Sequence, residues 1–404
     1  MDKLKVLIVD DSLVQRNHVI GLCHELAITQ ISTAENGQLA LDQLRKNHFD
    51  LVFIDLEMPV MDGVELVRII ADEKLIESII ILSSKDPSLI LSIGTMAESD
   101  GLSVVGTFQK PIKAADLSTS LKRLVSNFTN KKEDNPTTPL TINDLKTAIK
   151  NREITLHYQP KLTVKGLLLK GVEALARWQH PTRGFISPVE FIDAAERLDM
   201  ISPLTEYLFD IALKQKAQWS AHGINFHLSF NLSPLSLTDK GLAENITQQV
   251  KHYKIAPKDI VLEITENAIS GEISTAIETL AKLRLKGFNL AIDDYGTGFA
   301  NAQQLSRVPA TELKLDRILV DNVATNPQQK AILKSTVNLS KDLQLITVAE
   351  GVEYLEDFKY IYQLDVDLVQ GYYFAKPMTA ENLTLWLKKD LAKIRKELHL
   401  ALNH

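Results

Sequence analysis

The sequence predicts two α/β domains, a doubly wound parallel sheet over residues 1–125 and a (β/α)8 TIM-like barrel over residues 142–395. Three observations carry the prediction. Through the first part, short apolar runs alternate with amphipathic helical segments, the pattern of a parallel sheet covered on both faces. After a polar stretch the alternation resumes for roughly 250 residues, a common barrel length. Several apolar runs of this second part end in a polar or charged residue, and the strand ends of a barrel converge on one mouth.

Bulk properties narrow the function. The chain has 404 residues, 45% of them hydrophobic and 24% charged, with a net charge of -6. One typical domain holds roughly 100–200 residues. The acidic balance disfavours DNA or other nucleic acid as the main partner, although a local basic patch is still allowed. Cys23 is the only cysteine, so no intrachain disulfide forms, which fits a reducing compartment. In the helical-looking "HVIGLCHEL" it reads as a buried structural residue. "MDKLKVLIVDDS" is no signal peptide, because its apolar stretch is short and an acidic pair follows. No apolar run approaches the roughly 20 residues of a membrane span. A cytoplasmic protein is expected.

In chain order, the first strands read "KVLIVD" (5–10), "DLVFID" (50–55), "SIIILSS" (78–84) and "VVGTF" (104–108), with a weak additional strand opening "ISTAENGQLALDQLRK". "SNFTNKKEDNPTTPLT" (126–141) is polar, holds two prolines and reads as the linker. Barrel strands are expected in "LLLKGVEAL" (167–175), "FHLSFNLS" (226–233), "DIVLEITE" (259–266), "FNLAIDDYGTG" (288–298), "ELKLD" (312–316), "LITVAEGVE" (345–353) and "LVQGYYFAKP" (368–377). Segments such as "ISTAIETLAKLRLKG" and "QQKAILKSTVNLSKDL" supply helices between them. The helical "ENLTLWLKKDLAKIRKELHLAL" packs outside the barrel or against a partner, and 396–404 form a tail.

The first domain gathers chemistry at its strand ends. Asp10 and Asp11 end one strand, Asp55 ends another, Ser83 ends a third, and Lys110 precedes Pro111 after the last. Neighbouring strand ends would bring the three carboxylates, a hydroxyl and an ammonium into one pocket. Such a set suits Mg2+, a hard cation that takes oxygen ligands and keeps waters. With "DLEMPVMDG" after Asp55, residues 1–125 resemble the receiver domain of two-component response regulators, a five-stranded flavodoxin-like fold. The resemblance implies that Asp55 accepts phosphate from a histidine kinase and that Asp10 and Asp11 help to hold Mg2+. It also implies that Ser83 bonds the phosphoryl group and Lys110 pairs with it. Many receivers carry a switching aromatic residue three places before that lysine, but "GTFQKP" has Thr107 there and Phe108 one place later.

The second domain is rich in oxygen donors. Glu173, Asn231, Glu263, Asp293, Asp294 and Glu350 all fall at or near expected strand ends. With no cysteine or suitably spaced histidine among them, Mg2+ or Mn2+ is favoured over Zn2+. Lys314 and Asp316 are two apart and so share a strand face. Asp293 and Asp294 pose a problem, because adjacent residues of a regular strand face opposite ways.

From about residue 142 to 395 the chain resembles the EAL family of cyclic di-GMP phosphodiesterases. The tripeptide Glu173-Ala174-Leu175 lies in "GVEALARWQHP". The ordered motifs "YQP", "NLSP", "LEITE", "DDYGTG", "LKLD", "AEGVE" and "QGYYFAKP" accompany it. The resemblance implies one cation on Glu173, Asn231, Glu263 and Asp293, and a second on Asp293, Asp294 and Glu350. Such a pair, roughly 3.5–4 Å apart, activates a bridging water. Lys314 would orient that water or stabilise developing charge, Asp316 would position Lys314, and Glu350 is the other candidate for the base. Gln370 would lie near the water or phosphate. Arg177, Gln159 and Pro188 would contact substrate, and Glu266 and Glu353 would support the loop at 294–303.

The expected reaction is hydrolysis of cyclic di-GMP to linear pGpG, tuned by phosphorylation; the alternative is a receptor that binds cyclic di-GMP and signals by contact. A homo-oligomer is expected from the resemblance. "DYGTGFANAQQL" departs from the usual loop by swapping aromatics and placing Ala300 and Asn301 where serines are common. That loop runs through Phe299 toward the expected dimer face. His157, His180 and His227 read as packing or turn residues. The chain lacks the Gly-Gly-Asp/Glu-Glu-Phe signature of the opposing cyclases and a helix-turn-helix segment beyond its two domains. For the aspartate pair, Asp294 is expected just past the regular strand, with Gly296 and Gly298 giving the turn its freedom.

Overall fold

The computed structural model describes residues 4–84, 87–114, 117–118, 120–121, 139–266, 273–297 and 302–402. Two compact units divide the chain, Met1–Thr138 and Pro139–His404. Most of the expected linker, 126–138, lies outside the described residues.

In the first unit, β1 (Lys5–Val9), β2 (Gln30–Ala34), β3 (Leu51–Asp55), β4 (Ser78–Ser83) and β5 (Ser103–Gln109) form a parallel sheet of order β2-β1-β3-β4-β5. Burial on both faces explains why β3 and β4 read as continuous apolar runs rather than alternating ones. Helices Leu13–Glu25, Gly37–Leu44, Gly63–Glu73 and Pro87–Ser99 connect them. Ser12, Asn36 and Asp62 cap the first three by accepting from backbone N–H groups, so each loop at a strand's carboxyl end runs straight into a helix. The strand order reverses between β1 and β3, where such sheets open a crevice. Asp10 and Asp55 stand at that point. Cys23 is fully buried, and burial pushes its thiol up to about 12, so it is a packing residue.

The second unit opens with helix Ile142–Asn151, started by a reciprocal Thr141–Asp144 capping box. Its strands are β6 (Ile154–Thr163), β7 (Leu169–His180), β8 (Gly184–Ile186), β9 (His227–Asn231), β10 (Ile260–Thr265), β11 (Asn289–Tyr295), β12 (Glu312–Leu315), β13 (Ile346–Ala349) and β14 (Leu368–Val369). From β7 through β9 to β14, neighbouring barrel strands run parallel. β6 closes the barrel between β14 and β7, antiparallel to both, while β8 extends β7 as a hairpin.

β6 is absent from the strands expected above, and its sequence explains why. "ITLHYQPKLT" has Pro160 at its centre and polar residues where a barrel interior is normally apolar. Pro160 is tolerated because it falls between the Tyr158–Met378 bridge and the β14 pairing at Leu162 and Thr163, where no ladder bond is required of it. The C-terminal helix, Ala380–Leu402, runs through the expected tail. It packs on its own barrel and buries Leu383, Trp386, Leu391 and Leu398. No helix among the described residues is long and apolar enough to cross a membrane.

Gly371, just past β14, marks the tightest point of closure. A Cβ there would lie 2.2 Å from the Val352 carbonyl oxygen, a backbone atom with nowhere to move. Gly371→Ala is therefore expected to cost about 1–3 kcal/mol through overpacking. The three tryptophans, Trp178, Trp219 and Trp386, all lie in the second unit. Tryptophan fluorescence in a urea titration thus follows that unit alone, and an unchanged midpoint would contradict this packing.

Candidate functional site

The adjacent aspartates of β11 meet at the barrel mouth because the strand does not stay regular. Its pairing with β12 slips between Ile292 and Tyr295. Asp294 takes φ +56°, in the left-handed region where Asp is among the better-tolerated residues. The bulge brings the second carboxylate back to the side of the first. Oxygens of Glu173, Glu263 and Asp293 lie within 4.8 Å of one another, as do those of Asp293, Asp294 and Glu350. Asp293 belongs to both sets. The sequence pattern assigned the turn's freedom to Gly296 and Gly298. In the structure Asp294 itself adopts the left-handed conformation, followed by Gly296 at φ +108°. Gly298, Phe299, Ala300 and Asn301 lie outside the described residues.

Lys314 projects from β12 into the middle of these carboxylates and is almost wholly buried. Its Nζ lies 2.7 Å from Glu263, 2.9 Å from Asp293, 3.0 Å from Glu350 and 3.5 Å from Glu173. Burial alone would lower its pKa, but the surrounding carboxylates, Asp293 foremost, hold it well above the ordinary lysine value. The carboxylates divide in their response. Burial pushes Glu350 well above the usual carboxylate range and raises Glu173 and Asp293, with repulsion from their neighbours added and Lys314 pulling back. For Glu263, burial is overcome by Lys314 and Lys161, which hold it at about 2.

The wall beside Glu173 is amide-lined. Asn231 Nδ2 donates to Glu173 Oε1 at 2.8 Å, and Gln370 Nε2 donates to Glu173 Oε2 at 2.6 Å and to Gln159 Oε1 at 3.0 Å. Gln159 and Glu173 are register partners on β6 and β7. Arg177 is half-buried four places beyond Glu173 on β7, and Pro188 opens helix Pro188–Arg197. Glu266 accepts from Gly296 N at 2.9 Å, and Glu353 pairs with Arg317 at 2.7 Å. His180 Nδ1 accepts from the backbone of Thr182 and Arg183, and burial lowers the pKa of half-buried His157 and His227.

Asp316 departs from expectation. β12 ends at Leu315, so strand alternation no longer applies, and Asp316 instead caps helix Arg317–Val320 through Ile318 N at 2.7 Å. It is not among the carboxylates that surround Lys314. The residue that shares the inner face with Lys314 is Glu312, two places earlier. Glu312, Lys161 and Ser229 form a buried polar layer that sequence reasoning missed. The same alternation rule, applied backward from Lys314, would have found Glu312.

The donor set fits hard divalent cations. It consists of five carboxylates flanked by an amide, with one ammonium, Lys314, touching four of them. One buried oxygen of the site, Gln370 Oε1, accepts no hydrogen bond and has acceptor capacity to spare, while Glu350 Oε1 has the ion pair to Lys314.

The first unit holds a smaller acidic pocket. Lys110 Nζ lies 2.6 Å from Asp10 and 2.8 Å from Asp55, and exposed Asp11 can share a cation position with both aspartates. Burial raises the Asp55 carboxyl above its ordinary value against the pull of Lys110. Arg16 lies beneath, donating to the carbonyls of Asp10 at 2.6 Å and Asp11 at 3.1 Å. Ser83 is fully buried at the end of β4, and its carbonyl accepts from Lys110 N. Ser84, its hydroxyl bonded to Glu57, lines the pocket itself. Thr107 faces helix Pro87–Ser99, where a Cβ on Gly94 would meet its methyl at 3.0 Å. The Phe108 ring lies against Gly106 and the opposite core.

Comparison with known proteins gives a consistent picture. Residues 142–377 match the model of the EAL domain, and residues 6–122 match that of the response regulator receiver domain. The cyclic di-GMP phosphodiesterase RocR of Pseudomonas aeruginosa is 30% identical over 95% of this chain and 98% of its own length. Cyclic di-GMP phosphodiesterase PdeR of Escherichia coli is 31% identical over 62% of this chain, which covers only 38% of that protein. Among solved structures, the PaMucR phosphodiesterase in complex with c-di-GMP matches 60% of this chain and 98% of that chain, at 34% identity and a TM-score of 0.57.

The raised carboxyls of Glu350, Glu173 and Asp293 keep protons to higher pH than free carboxylates, so a divalent cation must displace them. Affinity for Mn2+ is expected to rise with pH, by up to about tenfold per unit for each proton displaced. Calorimetry in buffers of different ionisation enthalpy counts the protons, and Mn2+ binding without proton release at mildly acidic pH would contradict the assignment.

Proposed function

This chain belongs to the EAL domain family, with a response regulator receiver domain preceding the EAL domain, and from that premise we propose that it hydrolyses cyclic di-GMP to linear pGpG under the control of phosphorylation at Asp55. The observation that carries the reading is the sharing of Asp293 between two carboxylate sets around buried Lys314. Glu173, Asn231, Glu263 and Asp293 would hold one Mg2+ or Mn2+, and Asp293, Asp294 and Glu350 a second. Cations so held lower the pKa of a bound water and offset charge on the phosphoryl oxygens.

The chain's own residues supply the rest. Lys314, fixed by four carboxylates, keeps its proton and presents a fixed positive charge to the reacting phosphate. Gln370 orients Glu173 through Nε2, and its unpartnered Oε1 can accept from a water or hydroxyl. Arg177, at the mouth end of β7, suits the distal phosphate, with Gln159 and Pro188 along the same wall. In the receiver, Asp55 is the acceptor for phosphate from a histidine kinase, Asp10 and Asp11 hold Mg2+, and Lys110 pairs with the new charge. The reading extends to a homo-oligomer, as the family resemblance implies, and to the cytoplasm, as the single cysteine and the short apolar runs suggest.

Two experiments test it. The purified chain, given cyclic di-GMP with Mg2+ or Mn2+, is expected to form pGpG detectable by chromatography. Glu173→Gln should lower turnover by on the order of 10²–10³-fold, the scale of losing a group that stabilises transition-state charge. Tight binding of cyclic di-GMP without product would replace the enzyme with a receptor. For the receiver, Asp55→Asn should abolish labelling by a small phosphodonor; labelling that persists would place the phosphate elsewhere.

A further inference from the structure

Beneath the carboxylates of the mouth lies a second fully buried ammonium. Lys161 enters from β6, the one barrel strand that runs antiparallel to its neighbours. Gln159 and Lys161 are two apart and share its inner face. Because β6 descends into the barrel, Gln159 meets Glu173 and Gln370 near the mouth while Lys161 lies deeper. Lys161 Nζ hydrogen-bonds Ser229 Oγ on β9 and lies 3.1 Å from Glu263 Oε1 and 3.4 Å from Glu312 Oε2. Gly171, its register partner on β7, lets β9 approach closely; a Cβ there would stand 2.9 Å from the His227 carbonyl oxygen and in ordinary contact, 3.5 Å, with Lys161 Cε.

Glu263 is therefore held between two ammoniums, with Oε1 on Lys161 below and Oε2 on Lys314 above. We propose that Lys161 is a positioning residue that pins Oε1 of Glu263 and so presents Oε2 alone to a cation at the mouth, with Glu312 anchoring Lys161 in the lower layer. The inference rests on the reading that Glu263 is a cation ligand.

The charge count agrees. The carboxylates that touch either lysine or share a cation position with those that do are Glu173, Glu263, Asp293, Asp294, Glu312 and Glu350. Six carboxylates and two ammoniums leave four negative charges, which two divalent cations would neutralise. Glu312 and Lys161 contribute no net charge as a pair. Lys161 is thus kept from the mouth, where a free ammonium would compete with the cations, while its charge still reaches Glu263.

The test uses the full chain and Mn2+, followed by the paramagnetic resonance of the free ion, because that readout does not depend on turnover. Lys161→Met leaves Glu312 buried without its partner and can fail to fold, so the decisive variant is Lys161→Met/Glu312→Gln, which removes the pair and keeps the net charge. It is expected to weaken Mn2+ binding by about 10–100-fold, the range for losing a group that orients a metal ligand. With it, kcat should fall while KM for cyclic di-GMP stays within about twofold. Melting of the metal-free variant close to that of the unsubstituted chain would fit, since replacing a buried ion pair by neutral residues is often nearly neutral. Mn2+ binding equal to that of the unsubstituted chain would overturn the role of Lys161 alone. An unsubstituted chain that binds no Mn2+ would overturn the cation reading and this inference with it.

Discussion

Carboxylates crowded into a barrel mouth repel one another, and how that repulsion is met governs the second unit. The cost of burying charge is several kcal/mol per ion even after relaxation. Lys314 offsets part of it by touching four carboxylates at once, yet the group keeps more negative than positive charge. Burial, with repulsion from neighbouring carboxylates added to it, raises Glu350, Glu173 and Asp293, so protons are held where cations would serve. An apolar interior of equal volume would be no less stable. The arrangement makes physical sense as a site kept under electrostatic tension that binding relieves, and any ligand that binds only the folded state stabilises it by mass action.

The first unit meets a smaller version of the problem with a single lysine. Lys110 bridges Asp10 and Asp55, leaving Asp11 exposed and free to turn toward a cation. Arg16 donates to the backbone carbonyls of Asp10 and Asp11 and pairs with Glu35 at 3.3 Å, so it steadies the loop without covering the pocket's carboxylates. Addition of a phosphoryl group to Asp55 would change the charge that Lys110 balances. The response to that charge cannot run through an aromatic side chain at position 107. Thr107 packs on Gly94 of the helix Pro87–Ser99, whereas the Phe108 ring belongs to the core on the other face of the sheet. At this position β5 meets that helix through a small hydroxyl residue rather than an aromatic ring.

Much of this was legible in the sequence, because strand ends and alternation are local properties. The apolar runs ending in Asp10, Asp55, Glu263 and Asp293 revealed both sheets and both acidic centres. The misses have a common cause. β6 was hidden because its inward residues, Gln159 and Lys161, are polar, and Pro160 interrupts the run. Asp316 was placed on the face of Lys314 by extending alternation one residue past the strand, while Glu312, where alternation holds, was overlooked. Polar groups that pair with one another across a barrel leave no pattern along the chain, since Lys161 and Glu312 are 151 residues apart. Such pairs become visible only when the strands are placed side by side.

The bulge at Asp294 shows what the irregularity accomplishes. Asp293 is fixed by β11 and by Lys314, so its position comes from the barrel itself. Asp294 depends on the turn beyond it, which is held at Gly296 from two sides. Glu266, just past β10, accepts from Gly296 N, and Leu319 of the helix after β12 packs so closely that a Cβ on Gly296 would lie 2.7 Å from it. The set of Glu173, Glu263 and Asp293 is therefore built into the barrel wall, while the set of Asp293, Asp294 and Glu350 is built partly on a turn. A displacement of Gly296 reaches the second set through Asp294 and leaves the first on its strands. One strand end thus belongs to two sets of carboxylates, one built on strands and the other partly on a turn.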